Sequence, residues 1–227
     1  MLLSATMKPW IFVLGSSGHT KVVIDVIEQE GRYRIAGVLD PHRSIGERFF
    51  GIEVVGQESE LPELLTRFPG AHVLVTIGDN TVRKRVMDSV EALPVPVPFA
   101  TVVHPSAQIG REVELGAGTV VMASTTINPG THVGRGVIVN TGANVDHDCH
   151  LGDYVSIAPG ATLGGNVKVG SRGVVSLGAS VKHGISIGAN TVVGAGAVVL
   201  KDVPDNLVAY GVPAATIRTR KEGERYL

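Results

Sequence analysis

Starting at Val103 and stepping six residues at a time, the chain presents an aliphatic side chain at every stop. Val103, Ile109, Leu115, Val121 and Ile127 open a series that closes on Val193 and Val199, seventeen positions of Val, Ile or Leu without an insertion. The slot four residues later is also restricted. It carries Ala107, Thr119, Thr125, Thr131, Ala143, Cys149, Ala161, Ala179 and their like, nearly all small or β-branched. Self-similarity at a fixed short period marks a stacked architecture. Two inward slots per hexad, one aliphatic and one small, describe a short strand followed by a tight corner. Three hexads close one triangular coil, and coils stack at strand spacing, about 4.8 Å. The 102 residues from Val103 to Pro204 supply between five and six coils. Glycine recurs just after the aliphatic stop, as at Gly110, Gly116, Gly134, Gly152, Gly170, Gly188 and Gly194. Corners with left-handed backbone angles are expected there.

Residues 1–100 read differently. They hold nine of the 29 glycines but seven of the ten aromatics. Trp10–Leu14 is a short apolar run ending at Gly15, which predicts a buried strand. A helix is expected over Lys21–Gln29, with Val22, Val23, Val26 and Ile27 on one face and Gly31 at its C-cap. Ile35–Leu39 and His72–Ile77 read as further strands, Glu60–Arg67 as a helix, and Asn80 as the cap of a helix over Val82–Leu93. Strands alternating with helices imply parallel βαβ units. Pro94, Pro96 and Pro98 form a stiff connector. The expected fold is an α/β Rossmann-like domain over 1–100, a parallel β-helix over 101–205 and a C-terminal tail over 206–227.

Composition excludes several classes. A hydrophobic content of 44% with net charge -1 argues against disorder and gives no nucleic-acid footprint. No apolar run approaches the roughly 20 residues of a membrane helix. Met1–Pro9 lacks the charged-then-apolar order of a signal peptide. A single cysteine excludes a disulfide scaffold and suits a reducing cytoplasm.

The hexad register separates packing residues from candidates for chemistry. Cys149 falls in the small inward slot, so it reads as a packing residue rather than a nucleophile. His104, His132, His147, His150 and His183 fall in outward slots, and within Val103–Pro204 the only aromatic, Tyr154, does so too. His147 has the best neighbours, lying between Asp146 and Asp148, where a carboxylate can fix its tautomer and raise its basicity. Eighteen residues on, the same column carries Gly165, a gap in side chains that leaves a groove. His183 follows at two coils, roughly 10 Å from His147 by strand spacing. The histidines share no metal site, and no metal is expected. In the first domain, Gly15, Ser16, Gly18 and His19 follow a strand and open a helix, where backbone N–H groups meet a phosphate. The loop is not GxGxxG, so the dinucleotide fingerprint is incomplete. Asp40 ends the second strand, where a ribose contact is common, and Gly78, Asn80 and Arg83 form the third loop. Tight strand-to-helix turns are the alternative reading of the glycines, and a helix or turn cap that of Asp40.

Four segments together resemble the bacterial hexapeptide-repeat sugar acetyltransferases, which include sialic-acid O-acetyltransferases and N-acetyltransferases of UDP- or GDP-linked 4-amino sugars. They are FVLGSSGHTKVVIDVIEQEG, TIGDNTVRKR, NTGANVDHDCHLGDYVSIAPGATLGGNVKVG and VPDNLVAYGVPAATIR. The resemblance spans almost the whole chain. It implies a left-handed β-helix and a homotrimer with acetyl-CoA between adjacent β-helices. By the same resemblance His147 is the general base and Asp148 the acid that orients it. His19 matches a family histidine near the substrate. Ser156, Gly164, Gly165, Gly211, Val212 and Pro213 match segments that line the acetyl-CoA groove. Many relatives carry a histidine where this chain has Ser156, and a serine brings no charge to that contact.

The reading that follows is a cytoplasmic, acetyl-CoA-dependent N-acetyltransferase of a nucleotide-linked amino sugar, such as a 4-amino-4,6-dideoxyhexose. O-acetylation of sialic acid or a related sugar is the alternative within the same chemistry. A NAD-dependent oxidoreductase and a non-catalytic trimeric binding module are the alternatives of other classes. The missing GxGxxG speaks against the first, and Asp-His-Asp beside a double glycine against the second.

Overall fold

The computed structural model describes residues 8–225, so most of the Met1–Pro9 segment lies outside the described residues. The first domain is a sheet of order β3-β4-β2-β1-β5. Its centre is β1 (Trp10–Leu14), flanked in parallel by β2 (Arg34–Leu39) and β5 (His72–Val75). The hairpin β3 (Arg48–Phe49) and β4 (Ile52–Gly56) escaped the sequence reading, because Arg48 and Glu53 break the apolar run that signals a strand. The helices are α1 (Gly18–Glu30), α2 (Leu61–Arg67) and α3 (Asn80–Glu91).

Caps explain where the helices begin. α1 starts earlier than Lys21 because the Ser17 side chain accepts from the Thr20 N–H while the Thr20 hydroxyl accepts from the Ser17 N–H, a capping box. Its C-cap is Gly31 at φ 68°, as expected. Its core face is Thr20, Val23, Ile24, Val26 and Ile27, and Val22 is exposed, one step off the buried stripe. The cap of α3 is Asp79, not Asn80: an Asp79 oxygen accepts from the N–H groups of Thr81 and Val82 at 3.0 Å. Asn80 turns inward, and its amide donates to the Arg172 carbonyl at 2.5 Å.

Seventeen two-residue strands follow in steps of six, from β6 (Val102–Val103) to β22 (Val198–Val199). From β6 to β19 each pairs in parallel with the strand three further on, as His132 with His150 and Val133 with Leu151. Three flat faces result: β6, β9, β12, β15, β18 and β21 on the first, β7 to β22 on the second, β8 to β20 on the third. The aliphatic stops fill the interior, and most are fully buried. Each such side chain contributes about 1.5–3 kcal/mol. Thr131 shows why the second slot is small or β-branched: its hydroxyl donates to the Asp146 carbonyl at 3.0 Å across the corner. Cys149 repeats this one coil later, its thiol donating to the Gly164 carbonyl at 3.3 Å.

Corner glycines divide into two kinds, which corrects the sequence reading. Positive φ occurs three residues after the aliphatic stop, at Gly130 and Gly142 but also at Ser124, Asp148 and Asn166. The glycines just after the stop do not have it. They are glycine because the next coil passes so close: a Cβ at Gly110 would lie 2.6 Å from the Pro129 nitrogen, and one at Gly152 2.8 Å from the Ser171 nitrogen.

The first domain packs on the first face. Two outward residues are therefore buried rather than solvated. Tyr154 enters the cluster of Phe12, Leu14 and Met87, and His104 accepts from the Ser106 N–H at 3.0 Å and pairs with Gln29 at 2.9 Å. Residues 207–219, expected as a tail, form two further strands. β23 (Leu207–Gly211) pairs in parallel with β21, and β24 (Ala214–Thr219) folds back on it antiparallel.

Candidate active site

His147 stands on the corner between the second and third faces, after β13 (Asn144–Val145) and before β14 (His150–Leu151). Asp148 is the corner residue with φ 56°, a left-handed conformation that aspartate tolerates better than most residues. In that conformation a carboxylate adjacent in sequence reaches back to the imidazole. His147 Nδ1 lies 2.8 Å from Asp148 Oδ2. An Asp146 oxygen accepts from the His147 N–H at 2.8 Å and from the Asn128 amide at 2.8 Å. The Asp148 hydrogen bond, reinforced by the charges of Asp146 and Asp148, raises the His147 pKa above its ordinary value. The Asn128 amide, followed by the His147 N–H, lowers that of Asp146.

Two glycines make room for this pair. A Cβ at Gly165 would lie 2.5 Å from His147 Nε2, and one at Gly130 2.6 Å from Asp148 Oδ1. The imidazole thus lies over bare backbone one coil away, with Nδ1 held and Nε2 presented to the groove. The rings of His147 and His183 are 6.2 Å apart rather than roughly 10 Å, since Gly165 between them has no side chain and the rings lean into the gap. Gly164 lies under the His183 backbone, 2.7 Å from a would-be Cβ to its nitrogen. Among the described residues no group of three or more His, Cys, Asp or Glu side chains is placed to hold a metal.

The first domain carries a cleft of about 940 Å³ along the C-terminal ends of its strands. Gly15, Ser16, Gly18, His19, Asp40 and Gly78 all line it. Asp40 is tied down: one oxygen accepts from Ser16 Oγ at 2.6 Å and the other from the His42 N–H at 2.8 Å. A second cavity of about 560 Å³ lies against the first face, lined by Ser156, Asn140, Pro159, Ser176 and Leu177 among others. His19 and Gly78 belong to both walls, so the two cavities meet there. Burial, then the Arg83 charge, lowers the His19 pKa to about 4, which keeps the ring neutral near pH 7. Its Nε2 is buried and has no hydrogen-bond partner among the described residues.

Two residues expected at the substrate do other work. Arg83 is 1% exposed and spends all its donors on structure. It donates to the carbonyls of Ile77 and Gly78 in its own domain and to those of Gly136 and Tyr154 and the Ser156 hydroxyl in the β-helix. Asn80 joins the same domain junction. Ser156, although it carries no charge, therefore has a guanidinium behind it at 3.1 Å. The exposed arginine that lines the cleft is Arg85, two residues further along α3, and the sequence reading missed it. Helical phase was the available signal: Arg85 lies about 200° around α3 from Arg83. Gly211, Val212 and Pro213 form the exposed tip of the β23–β24 hairpin, and His147 lines neither cavity.

Two family models match the chain. Residues 10–90 fit the PglD N-terminal domain, and residues 130–165 fit the bacterial transferase hexapeptide of six repeats. A histidine mutant of GDP-perosamine N-acetyltransferase from Caulobacter crescentus, solved with CoA and GDP-perosamine, is 37% identical, with TM-score 0.86 over 92% of this chain and 96% of its own. This chain belongs to the hexapeptide-repeat sugar acetyltransferases. The acetyltransferase domain of PglB from Neisseria gonorrhoeae, in complex with acetyl coenzyme A, matches at 32% identity and TM-score 0.84 over 92% of this chain and 100% of its own. UDP-N-acetylbacillosamine N-acetyltransferase of Bacillus subtilis is 35% identical over 111 residues, 48% of this chain and 49% of that protein's length. As a member of this family the protein is an acetyltransferase, and acetyl-CoA is its donor.

Proposed function

We propose that this acetyltransferase N-acetylates a nucleotide-linked 4-amino-4,6-dideoxyhexose, with His147 as general base. The observation that carries the reading is His147 Nδ1 held at 2.8 Å by Asp148 while Nε2 faces a groove floored by Gly165. The sugar amine attacks the thioester carbonyl in its neutral form. His147 Nε2 takes the amine proton as the C–N bond forms, Asp148 stabilises the imidazolium, and the proton leaves with the CoA sulfur as the C–S bond breaks. A base of raised pKa accepts that proton more readily, and no covalent enzyme intermediate is needed. Cys149, buried with its thiol pKa raised by burial, stays outside the reaction.

In this reading the Gly15–Gly18 backbone and Arg85 hold the diphosphate, and His19 and Gly78 sit where the sugar passes from cleft to second cavity. Ser156, Gly164, Gly165 and the hairpin tip at Gly211–Pro213 are assigned to acetyl-CoA. The cleft belongs to the first domain, which packs on the first face, and His147 stands at the corner between the other two faces, so one chain alone does not close the site. A homotrimer, with one copy's His147 facing the next copy's cleft, completes it. No described helix is long and apolar enough to cross a membrane. A cytoplasmic enzyme is the reading that suits its acetyl-CoA donor.

The amino sugars named for the relatives favour N- over O-acetylation. The test is acetyl transfer to GDP- and UDP-linked 4-amino-4,6-dideoxyhexoses against free sialic acid, with products identified by mass. Acetylation of sialic acid alone would overturn the assignment. Mixing inactive His147→Ala chains with inactive Arg85→Glu chains tests the shared site: mixed trimers regain activity if it is shared and stay dead if it is not.

A further inference from the structure

We propose that Glu58 reads the nucleobase at the far end of the cleft and that the base is guanine; this rests on the nucleotide-sugar reading above. The strand order fixes the sequence of groups along the cleft. Its floor crosses the C-terminal ends of β5, β1, β2 and β4 in that order. The β5 end carries Gly78, which with His19 opens into the second cavity, so the sugar lies there. The β1 end carries the Gly15–Gly18 loop, the diphosphate position. The β2 end carries Asp40, whose N–H donates to the Gly56 carbonyl at 2.9 Å and so joins it to β4. Glu58 follows two residues after Gly56 and lines the same cleft. Three strand spacings separate the two ends, about 14 Å. That length accommodates a diphosphate, a ribose and a base laid end to end.

The carboxylates of the cleft differ in what they have left to give. Asp40 is engaged by Ser16 and His42, Glu47 is paired with Arg43, and Asp79 caps α3 at the sugar end. The Glu58 carboxylate has no hydrogen bond or ion pair among the described residues, and it is half-buried. A carboxylate accepts only, and its two oxygens match two adjacent N–H donors. Guanine offers such a pair in N1–H and the N2 amino group. Uracil offers one N3–H flanked by two carbonyl oxygens, which a carboxylate repels. Hypoxanthine keeps N1–H and lacks the N2 amino group. A well-placed two-point contact of this kind is worth about tenfold or more in affinity.

The experiment is calorimetric titration of the full-length protein with GDP, IDP and UDP, repeated on Glu58→Ala and Glu58→Gln. The wild type is expected to bind GDP about tenfold more tightly than IDP or UDP. Both variants should lose that advantage, with UDP affinity unchanged within about twofold. The GDP–IDP comparison on the wild type needs no variant to fold. Equal binding of GDP and UDP by the wild type, or an undiminished GDP preference in Glu58→Ala, overturns the assignment. If none of the three binds and no nucleotide-linked amino sugar is acetylated, the nucleotide-sugar reading fails with it. Acetylation without base preference overturns Glu58 alone.

Discussion

Replacing Gly165 by alanine tests the site through a single methyl group. The new Cβ would lie 2.5 Å from His147 Nε2, 2.6 Å from Cε1 and 3.0 Å from Cδ2. Carbon atoms in contact stand about 3.5–4.0 Å apart, so the ring must retreat by about 1 Å. That displacement strains the 2.8 Å bond to Asp148 and moves the nitrogen that takes the proton. A misplacement of about 1 Å costs on the order of 10²-fold, within the 10²–10⁴ that a general base supplies. Fold stability should hardly move. Gly165 has no positive φ, so alanine adopts its backbone, and the change is expected to be within about 1 kcal/mol. Steady-state release of the CoA thiol gives kcat, and thermal unfolding gives stability. A kcat within about threefold of wild type would mean that the ring does not need the bare backbone.

Asp148→Asn removes the principal cause of the raised His147 pKa, so that pKa falls toward its ordinary value. The acidic limb of the kcat/KM profile should move to lower pH while the plateau rate drops, and an unmoved limb would count against the pairing. Arg83→Met strips the donor from five acceptors at the domain junction, three of them in buried hydrogen bonds. A loss of about 3–5 kcal/mol in denaturant unfolding is expected, against under 1 kcal/mol if Arg83 were merely a surface group. Cys149→Ala should cost about 1–2 kcal/mol of stability and leave kcat unchanged; a tenfold loss of kcat in a folded variant would make the thiol a participant.

The β-helix was legible because its interior admits so little variety. A hexad with one aliphatic and one small inward slot leaves the register no freedom, and the observed strands end on the aliphatic stops from Val103 to Val199. The same register set His147 outward and Gly165 beneath it. What escaped was what depends on another surface. Tyr154 and His104 point outward from the coil, but the first domain covers them, and no hexad pattern encodes its footprint. Arg83 and Arg85 are alike in composition and differ only in the side of α3 they occupy. The close-approach glycines and the left-handed corners were merged, since sequence shows that glycine recurs but not which of its two properties is used. The β3–β4 hairpin was missed for want of an apolar run, and with it the far end of the cleft.

The most direct test of the account is His147→Ala in the intact protein, assayed with saturating acetyl-CoA and the preferred nucleotide-linked amino sugar. The account predicts a fall in kcat of about 10²–10⁴ with acetyl-CoA affinity and oligomeric state preserved. Near wild-type turnover by that variant would contradict it.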